Sequence, residues 1–231
     1  MKKITLPSEI AYVLAVVLLA FSVAMVTASD IGLSMIVAPA YVLSQKFTFL
    51  TFGQAEYVIQ TLLFIAFCII VKKFKPIYLI AFLGCLFYGA VLDLWRIIIP
   101  AFNPTITAPG SMDMWVRLLY FVLGEFITAF AVALFFKVYL FPQVTDFFVM
   151  GVTAKYNLKL SKFKWFYDIG FLVSAIILSL VFFGKLVGIS YGTIILTATN
   201  GIIIALFSKL IEKCFVIKPL FPKFSELFVL P

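Results

Sequence analysis

Residues 8–28 read SEIAYVLAVVLLAFSVAMVTA, a run whose one charged side chain, Glu9, stands at its start. A helix rises about 1.5 Å per residue and the bilayer's hydrocarbon core is ~30 Å thick, so about 20 apolar residues make one crossing. Five more such runs follow, at 53–71, 76–98, 114–136, 163–184 and 188–208, each bounded by charge or by Gly/Pro punctuation. Lys72, Lys73 and Lys75 close the second, and Pro76 opens the third. Of the 231 residues, 65% are hydrophobic and 12% charged; soluble domains carry roughly 45–50% and ~25%. No soluble globule of this size hides so much apolar surface. The expected fold is an all-α integral membrane protein with six transmembrane helices. Lys2-Lys3, the apolar run and Val26-Thr27-Ala28 together resemble a cleavable signal peptide, but the run is long for one. It is read as a retained span, because part of it returns later in the chain.

Phe21-Ser22-Val23-Ala24-Met25 recurs as Phe130-Ala131-Val132-Ala133-Leu134, 109 residues on. Lys46-Phe47 matches Lys155-Tyr156 at the same offset, Leu50-Thr51 matches Leu160-Ser161 at 110, and Glu56 with Asp168 and Tyr88-Gly89 with Asn200-Gly201 match at 112. The matches are collinear. They divide the chain into a first repeat (1–100), an outer loop (101–113), a second repeat (114–213) and a cytoplasmic tail (214–231). Each repeat holds one span, a short stretch (31–45 or 138–154) and two further spans. Three crossings is an odd number, so the second copy inserts upside down. Inverted repeats with interrupted helices at the midplane are a transporter architecture.

The short stretches are at or under the length of a span, and are re-entrant or broken helices, short crossing helices, or interfacial ones. If neither crosses and the N-terminus is cytoplasmic, fourteen of the eighteen Lys and Arg face inward; Lys46, Arg96, Arg117 and Lys185 face outward. Crossing would turn Lys72, Lys73 and Lys75 outward, against the positive-inside rule. The expectation is therefore re-entrant segments, both termini in the cytoplasm, and a bacterial cytoplasmic membrane location. The net charge of +8 is then a topology signal that also suits anionic lipid and calls for no nucleic acid. Trp95 and Trp115 are expected at outer ends and Trp165 at an inner end, as in aromatic belts.

Asp30-Ile31-Gly32, Leu50-Thr51-Phe52-Gly53 and Tyr88-Gly89-Ala90-Val91-Leu92-Asp93, with Asp146, Leu160-Ser161, Gly192-Thr193 and Asn200-Gly201 in the second half, resemble the YczE/YitT-like bacterial membrane proteins. The resemblance extends over nearly the whole chain and implies a multipass inner-membrane permease without an assigned substrate. The short segments depart from the Gly-x-Gly-Pro-x-Asp turn of that pattern: the first reads Ile31-Gly32-Leu33-Ser34-Met35 and the second Leu140 to Asp146.

The chain has no histidine and three cysteines without CxxC spacing, Cys68, Cys85 and Cys214. That removes Ser-His-Asp and Cys-His catalysis and His-ligated metal, and no Walker motif is present. No enzyme activity, cofactor or metal is expected. Carboxylates inside spans are costly and so mark function. Glu125, eleven residues into its span, is the first candidate for a substrate cation, a coupling proton or sodium; a structural hydrogen bond is the alternative. Asp93 is either a gate charge or the ion-pair partner of Arg96, three residues later on the same face. Glu56 and Asp168 are repeat mates expected near opposite mouths, as alternating gates or solvated helix ends. Asp146 on the second short segment, with Gln60 and Asn200, completes the candidate substrate or coupling residues. Glu9, Asp113, Glu212 and Glu226 are expected to be solvated.

The function expected from these features is a secondary transporter of a small cationic or zwitterionic organic solute, with proton coupling as one option. The alternatives are a substrate-binding subunit of a multi-component vitamin or cofactor uptake system, or a non-transporting membrane helper. Expected partners are the lipid bilayer and a solute; a homo-oligomer and a partner membrane subunit are both open.

Overall fold

A computed structural model of the chain describes residues 4–228, so Lys2, Lys3 and the end of the expected tail lie outside the described residues. Six long apolar helices form the bundle: α1 (Ser8–Ser29), α3 (Phe52–Val71), α4 (Leu79–Ile98), α5 (Met114–Phe135), α7 (Leu160–Phe183) and α8 (Tyr191–Cys214). Two short helices are set among them, α2 (Ala38–Lys46) and α6 (Val144–Tyr156). The chain is an all-α multipass membrane protein.

Local chemistry sets the helix ends. At α3, the Thr51 hydroxyl accepts from Gln54 N while the Gln54 side chain accepts from Thr51 N, a reciprocal cap that satisfies two otherwise orphaned donors. At α7, Gly184 adopts φ +65° and closes the helix, a conformation glycine takes without a Cβ clash. α8 continues to Cys214, beyond the expected end at 208, because Lys209, Glu212 and Lys213 are good helix formers. Leaving the apolar layer does not end a helix.

Side-chain contacts fix the directions of the helices. α1 runs antiparallel to α5: Arg117 Nε donates to Ser29 O at 2.7 Å, Thr128 Oγ1 to Ser22 Oγ at 2.8 Å, and Tyr139 N to Ser8 Oγ at 3.2 Å. α1 runs parallel to α4, with Tyr12 beside Gly84 and Trp95 Nε1 donating to Val17 O at 3.3 Å. α5 likewise runs parallel to α8, through Phe121–Gly192, Glu125–Thr199 and Phe130–Phe207. The halves are thus related by an inverting pseudo-two-fold. Packing follows it: α1 with α4 and α5 with α8, α2 with α7 and α6 with α3, α2 with α3 and α6 with α7.

Neither short helix crosses the bundle. α2 lies between the C-terminus of α1 and the N-terminus of α3, both at the end marked by Asp30. α6 lies between the C-terminus of α5 and the N-terminus of α7, both at the end marked by Ser8; Tyr156 Oη donates there to Ile70 O at 2.6 Å. Both helices are largely buried, which makes them re-entrant and not interfacial. The descent into α2 is pinned by Leu33 N donating to Gly188 O at 3.0 Å and Gly192 N to Ile31 O at 3.1 Å. Gly32, at φ +145°, sits so close to Gly192 and Thr193 that a Cβ would collide with their backbone.

One pair breaks the symmetry. α3 and α4 pack face to face, with Gly53 against Gly89 and Tyr57 Oη donating to Leu86 O at 2.8 Å. α7 and α8 lack such packing, and Gly170 and Gly201 face open space.

The end residues make contacts beyond those read from the sequence. Glu9 is partly exposed and also hydrogen-bonded: its carboxylate accepts from Tyr139 Oη at 2.7 Å, Leu220 N at 3.0 Å and Phe221 N at 3.3 Å. This ties the tail to α1 beside a two-stranded parallel pairing of β1 (Ile4–Pro7) with β2 (Phe215–Lys218). Glu212 is ion-paired with Lys137 at 2.5 Å. Trp115 and Trp165 are exposed at opposite ends, whereas Trp95 turns inward onto Phe21.

Candidate functional site

The N-termini of α2 and α6 both point toward the middle of the bundle, where a cavity of about 140 Å³ opens between the repeats. The register of the repeat reappears in its wall. At an offset of 109, Leu19 pairs with Thr128, Val23 with Val132, Val26 with Phe135, Ser34 with Gln143, Ile36 with Thr145 and Val37 with Asp146; at 112, Tyr88 pairs with Asn200. All fourteen line the cavity, which therefore sits on the pseudo-two-fold. Its shape is symmetric and its chemistry is not. In Leu19/Thr128, Ile36/Thr145 and Val37/Asp146 the second repeat supplies the polar member, while α3 adds Glu56 and Gln60 from the first.

Glu56 and Gln60 stand one turn apart on α3, 3% and 1% exposed. Gln60 Nε2 donates to Glu56 Oε2 at 3.2 Å and to Gln143 Oε1 at 3.2 Å across the cavity. Among the described residues, Glu56 Oε1, Gln60 Oε1, Gln143 Nε2 and Asn200 Oδ1 are buried without a hydrogen-bond partner. Each such atom costs about 1–3 kcal/mol when nothing meets it. The four residues that carry them all line the cavity. Glu125 also lines the cavity, 6% exposed, and accepts from Thr199 Oγ1. Below it, Lys164 bridges Asp146 at 3.7 Å and Asp168 at 3.3 Å.

Five of the expected site residues meet on this wall: Glu56, Gln60, Glu125, Asp146 and Asn200. Asp168 is joined to it through Lys164. The placement of Glu56 and Asp168 at opposite mouths is wrong. Glu56 reaches the central cavity because α3 starts at Phe52 beside the re-entrant α2, whereas Asp168, partly exposed, lies outside the cavity and is paired with Lys164.

Asp93 and Arg96 lie elsewhere and are not paired with each other. Asp93 Oδ2 accepts from Thr51 Oγ1 at 2.5 Å and Oδ1 from Gly53 N at 2.9 Å, so both oxygens serve the N-terminus of α3, where orphaned donors and the helix dipole favour an anion. Arg96 instead stacks over the Phe52 ring at 5.3 Å. Asp93 is a clamp between α3 and α4 and lines no part of the cavity.

Sequence reasoning missed Gln143 and Lys164. Gln143 is the repeat mate of Ser34, a pairing the 109-residue offset already contained. Lys164 stands four residues before Asp168, the spacing of a helical ion pair, but had been counted only as a basic residue at the inner end.

The chain belongs to a family of unknown function, DUF6198, which residues 6–209 match; the match spans both repeats and stops short of the paired strand β2. No curated protein and no solved structure matches the chain. No comparison ties it specifically to the YczE/YitT-like group.

Proposed function

We propose that this protein is a permease, a secondary transporter that carries a small cationic or zwitterionic organic solute through the cavity between its inverted repeats. The observation that carries the reading is the set of four buried, unpartnered polar atoms on the cavity wall, two of them on the Glu56–Gln60 pair. The acid-rich lining favours a cation: Glu56, Glu125 and Asp146 line it with one ammonium, Lys164, which is paired with Asp146 and Asp168. Short helix N-termini directed at the same space suit an acceptor group on a zwitterion. Glu125 and Glu56 are the carboxylates proposed to carry the solute cation or a coupling proton.

Inverted repeats support alternating access because the two halves can exchange conformations. The unlike packing of α3–α4 and α7–α8 is what one of two such states looks like. The protein is proposed to work in the bacterial cytoplasmic membrane with both termini inside. The lysines at the Ser8 end, among them Lys72, Lys73, Lys75 and Lys137, support this orientation, as the positive-inside rule requires.

The test is flux. Purified protein in liposomes, under an imposed pH gradient, is exposed to a panel of labelled small amines, amino acids and carboxylates. Saturable uptake of an amine or amino acid that is lost in Glu125→Gln supports the proposal; uptake restricted to carboxylates, or none by a folded sample, sinks it. One observation favours a second reading, a solute-binding subunit that docks on an energising module: α7 and α8 leave apolar faces and two glycines uncovered. Flux by the purified chain alone excludes that reading.

A further inference from the structure

The hydrogen-bond inventory of the cavity narrows the solute beyond its charge. With Glu56 ionised, as it would be opposite a bound cation, its carboxylate accepts only, and Gln60 turns its amide nitrogen to Glu56 Oε2. The same nitrogen meets Gln143 at 3.2 Å, so Gln143 must present its oxygen there. In that state both amide orientations follow from the pairing. The buried atoms left without a partner are unequal: three acceptors, Glu56 Oε1, Gln60 Oε1 and Asn200 Oδ1, against one donor, Gln143 Nε2; the Ser34, Tyr88 and Thr145 hydroxyls on the wall can each turn to donate or accept. The other charged groups on the wall do not alter this balance. Glu125 adds acceptor oxygens beside Thr199, and Lys164 is committed to Asp146 and Asp168.

The rest of the wall mixes apolar side chains, among them Leu19, Val23, Val26, Val132, Phe135 and Leu196, with the hydroxyls of Ser34, Tyr88, Thr128 and Thr145. The space, about 140 Å³, compares with the ~150 Å³ apolar cavity that holds one benzene. It therefore admits a molecule of about half a dozen heavy atoms.

We infer that the cavity selects a compact organic monocation whose charge is carried on several N–H groups: a guanidinium, an amidinium or a primary ammonium on a short apolar body. Its N–H face meets Glu56 Oε1 and Gln60 Oε1, with Asn200 Oδ1 on the opposite repeat taking a further donor. Gln143 Nε2 is completed by an acceptor on the same molecule or by water. A quaternary ammonium of equal size and charge has no N–H and leaves all three acceptors unmet in a buried site, so it is rejected. An anion meets those acceptors and the carboxylates with nothing to donate. The inference rests on reading this cavity as the solute site.

Three probes of five heavy atoms each separate the possibilities: methylguanidinium, tetramethylammonium and propionate, titrated against the detergent-purified protein by calorimetry and by melting temperature. The expected result is saturable methylguanidinium binding that raises the melting temperature. Tetramethylammonium should bind at least tenfold more weakly and propionate not at all. Glu56→Gln should weaken methylguanidinium at least tenfold while eluting as a monodisperse species. Asn200→Leu, on the other repeat, should weaken it severalfold. Should Glu56→Gln fail to fold, the wild-type ranking of the three probes still decides. Tetramethylammonium equal to methylguanidinium, propionate binding, or no methylguanidinium binding at 10 mM overturns the inference. Transport of propionate alone would remove both this inference and the permease reading; transport of tetramethylammonium would leave the permease reading standing and remove this one. Selective methylguanidinium binding without flux would do the reverse.

Discussion

Gln60 Nε2 lies 3.2 Å from Glu56 Oε2, one turn away on α3, and the same distance from Gln143 Oε1 on the approach to α6. One amide thus holds a carboxylate of the first repeat and an amide of the second on a shared wall. The pairing uses both of its hydrogens and leaves the free atoms of all three side chains without partners among the described residues.

Removing this amide should cost more than neutralising the acid. Gln60→Leu leaves Glu56 Oε2 and Gln143 Oε1 without their donor, a loss of about 1–3 kcal/mol per stranded group. Glu56→Gln keeps an oxygen that can accept from Gln60 and should change stability by less than about 1 kcal/mol. Thermal denaturation in detergent, followed by size-exclusion fluorescence, ranks the two; equal losses would break the argument.

Glu125→Gln should leave the fold intact and reduce flux by at least tenfold, because the change removes charge while retaining an acceptor for Thr199 Oγ1. Thr199→Val should weaken flux less, since it disturbs only the positioning of Glu125. Proteoliposome uptake checks both, and a fully active Glu125→Gln variant would take this residue out of the mechanism.

Asp93 and Arg96 should separate cleanly. Asp93→Ala strips both acceptors from the start of α3 and should cost about 0.5–2 kcal/mol, the range for a lost helix cap. Solute affinity should be unchanged, because Asp93 lines no part of the cavity. Arg96→Ala, which loses the stack on Phe52 and the attraction to nearby Asp93, should cost about 0.5–1 kcal/mol. A melting curve and a binding isotherm for each variant provide the comparison; an affinity loss in Asp93→Ala would contradict the clamp assignment.

Equivalent glycines should respond unequally to alanine. A Cβ at Gly53 would collide with Gly89 O, and one at Gly89 with the Tyr57 ring, so either substitution should lose about 1–3 kcal/mol through overpacking. Gly201, the repeat mate of Gly89, has nothing within 4 Å, and neither does Gly170. Alanine there should be neutral or gain up to about 1 kcal/mol from helix propensity. Loss of flux in a stable Gly201→Ala variant would show that α7 and α8 must approach each other during the cycle.

The spans were legible because a bilayer crossing is decided by a local sum of side-chain hydropathy. Charge placement also separated re-entrant from crossing segments: turning Lys72, Lys73 and Lys75 outward has a cost that short apolar length does not offset. Glu125 was legible from its depth within a span. Gln143 was not, because a glutamine in a short segment carries no charge signal, and its importance comes from Gln60, 83 residues away. The Asp93–Arg96 pair failed for a related reason. Helical spacing brought the residues near each other, but the start of α3 offered Asp93 two donors and Phe52 offered Arg96 a ring.

The sequence by itself determined the membrane class, the six spans and the repeat that relates the halves, since each depends on composition or matches read along the chain. Only the tertiary structure decided that Glu56 joins Glu125 at one cavity while Asp93 does not, and that α3–α4 closes while α7–α8 stays open. Hydropathy places a helix in the bilayer but leaves its rotation free. The rotation is settled by close packing of small residues and by pairing of buried polar atoms between segments about a hundred residues apart, and those contacts choose which side chains face the cavity.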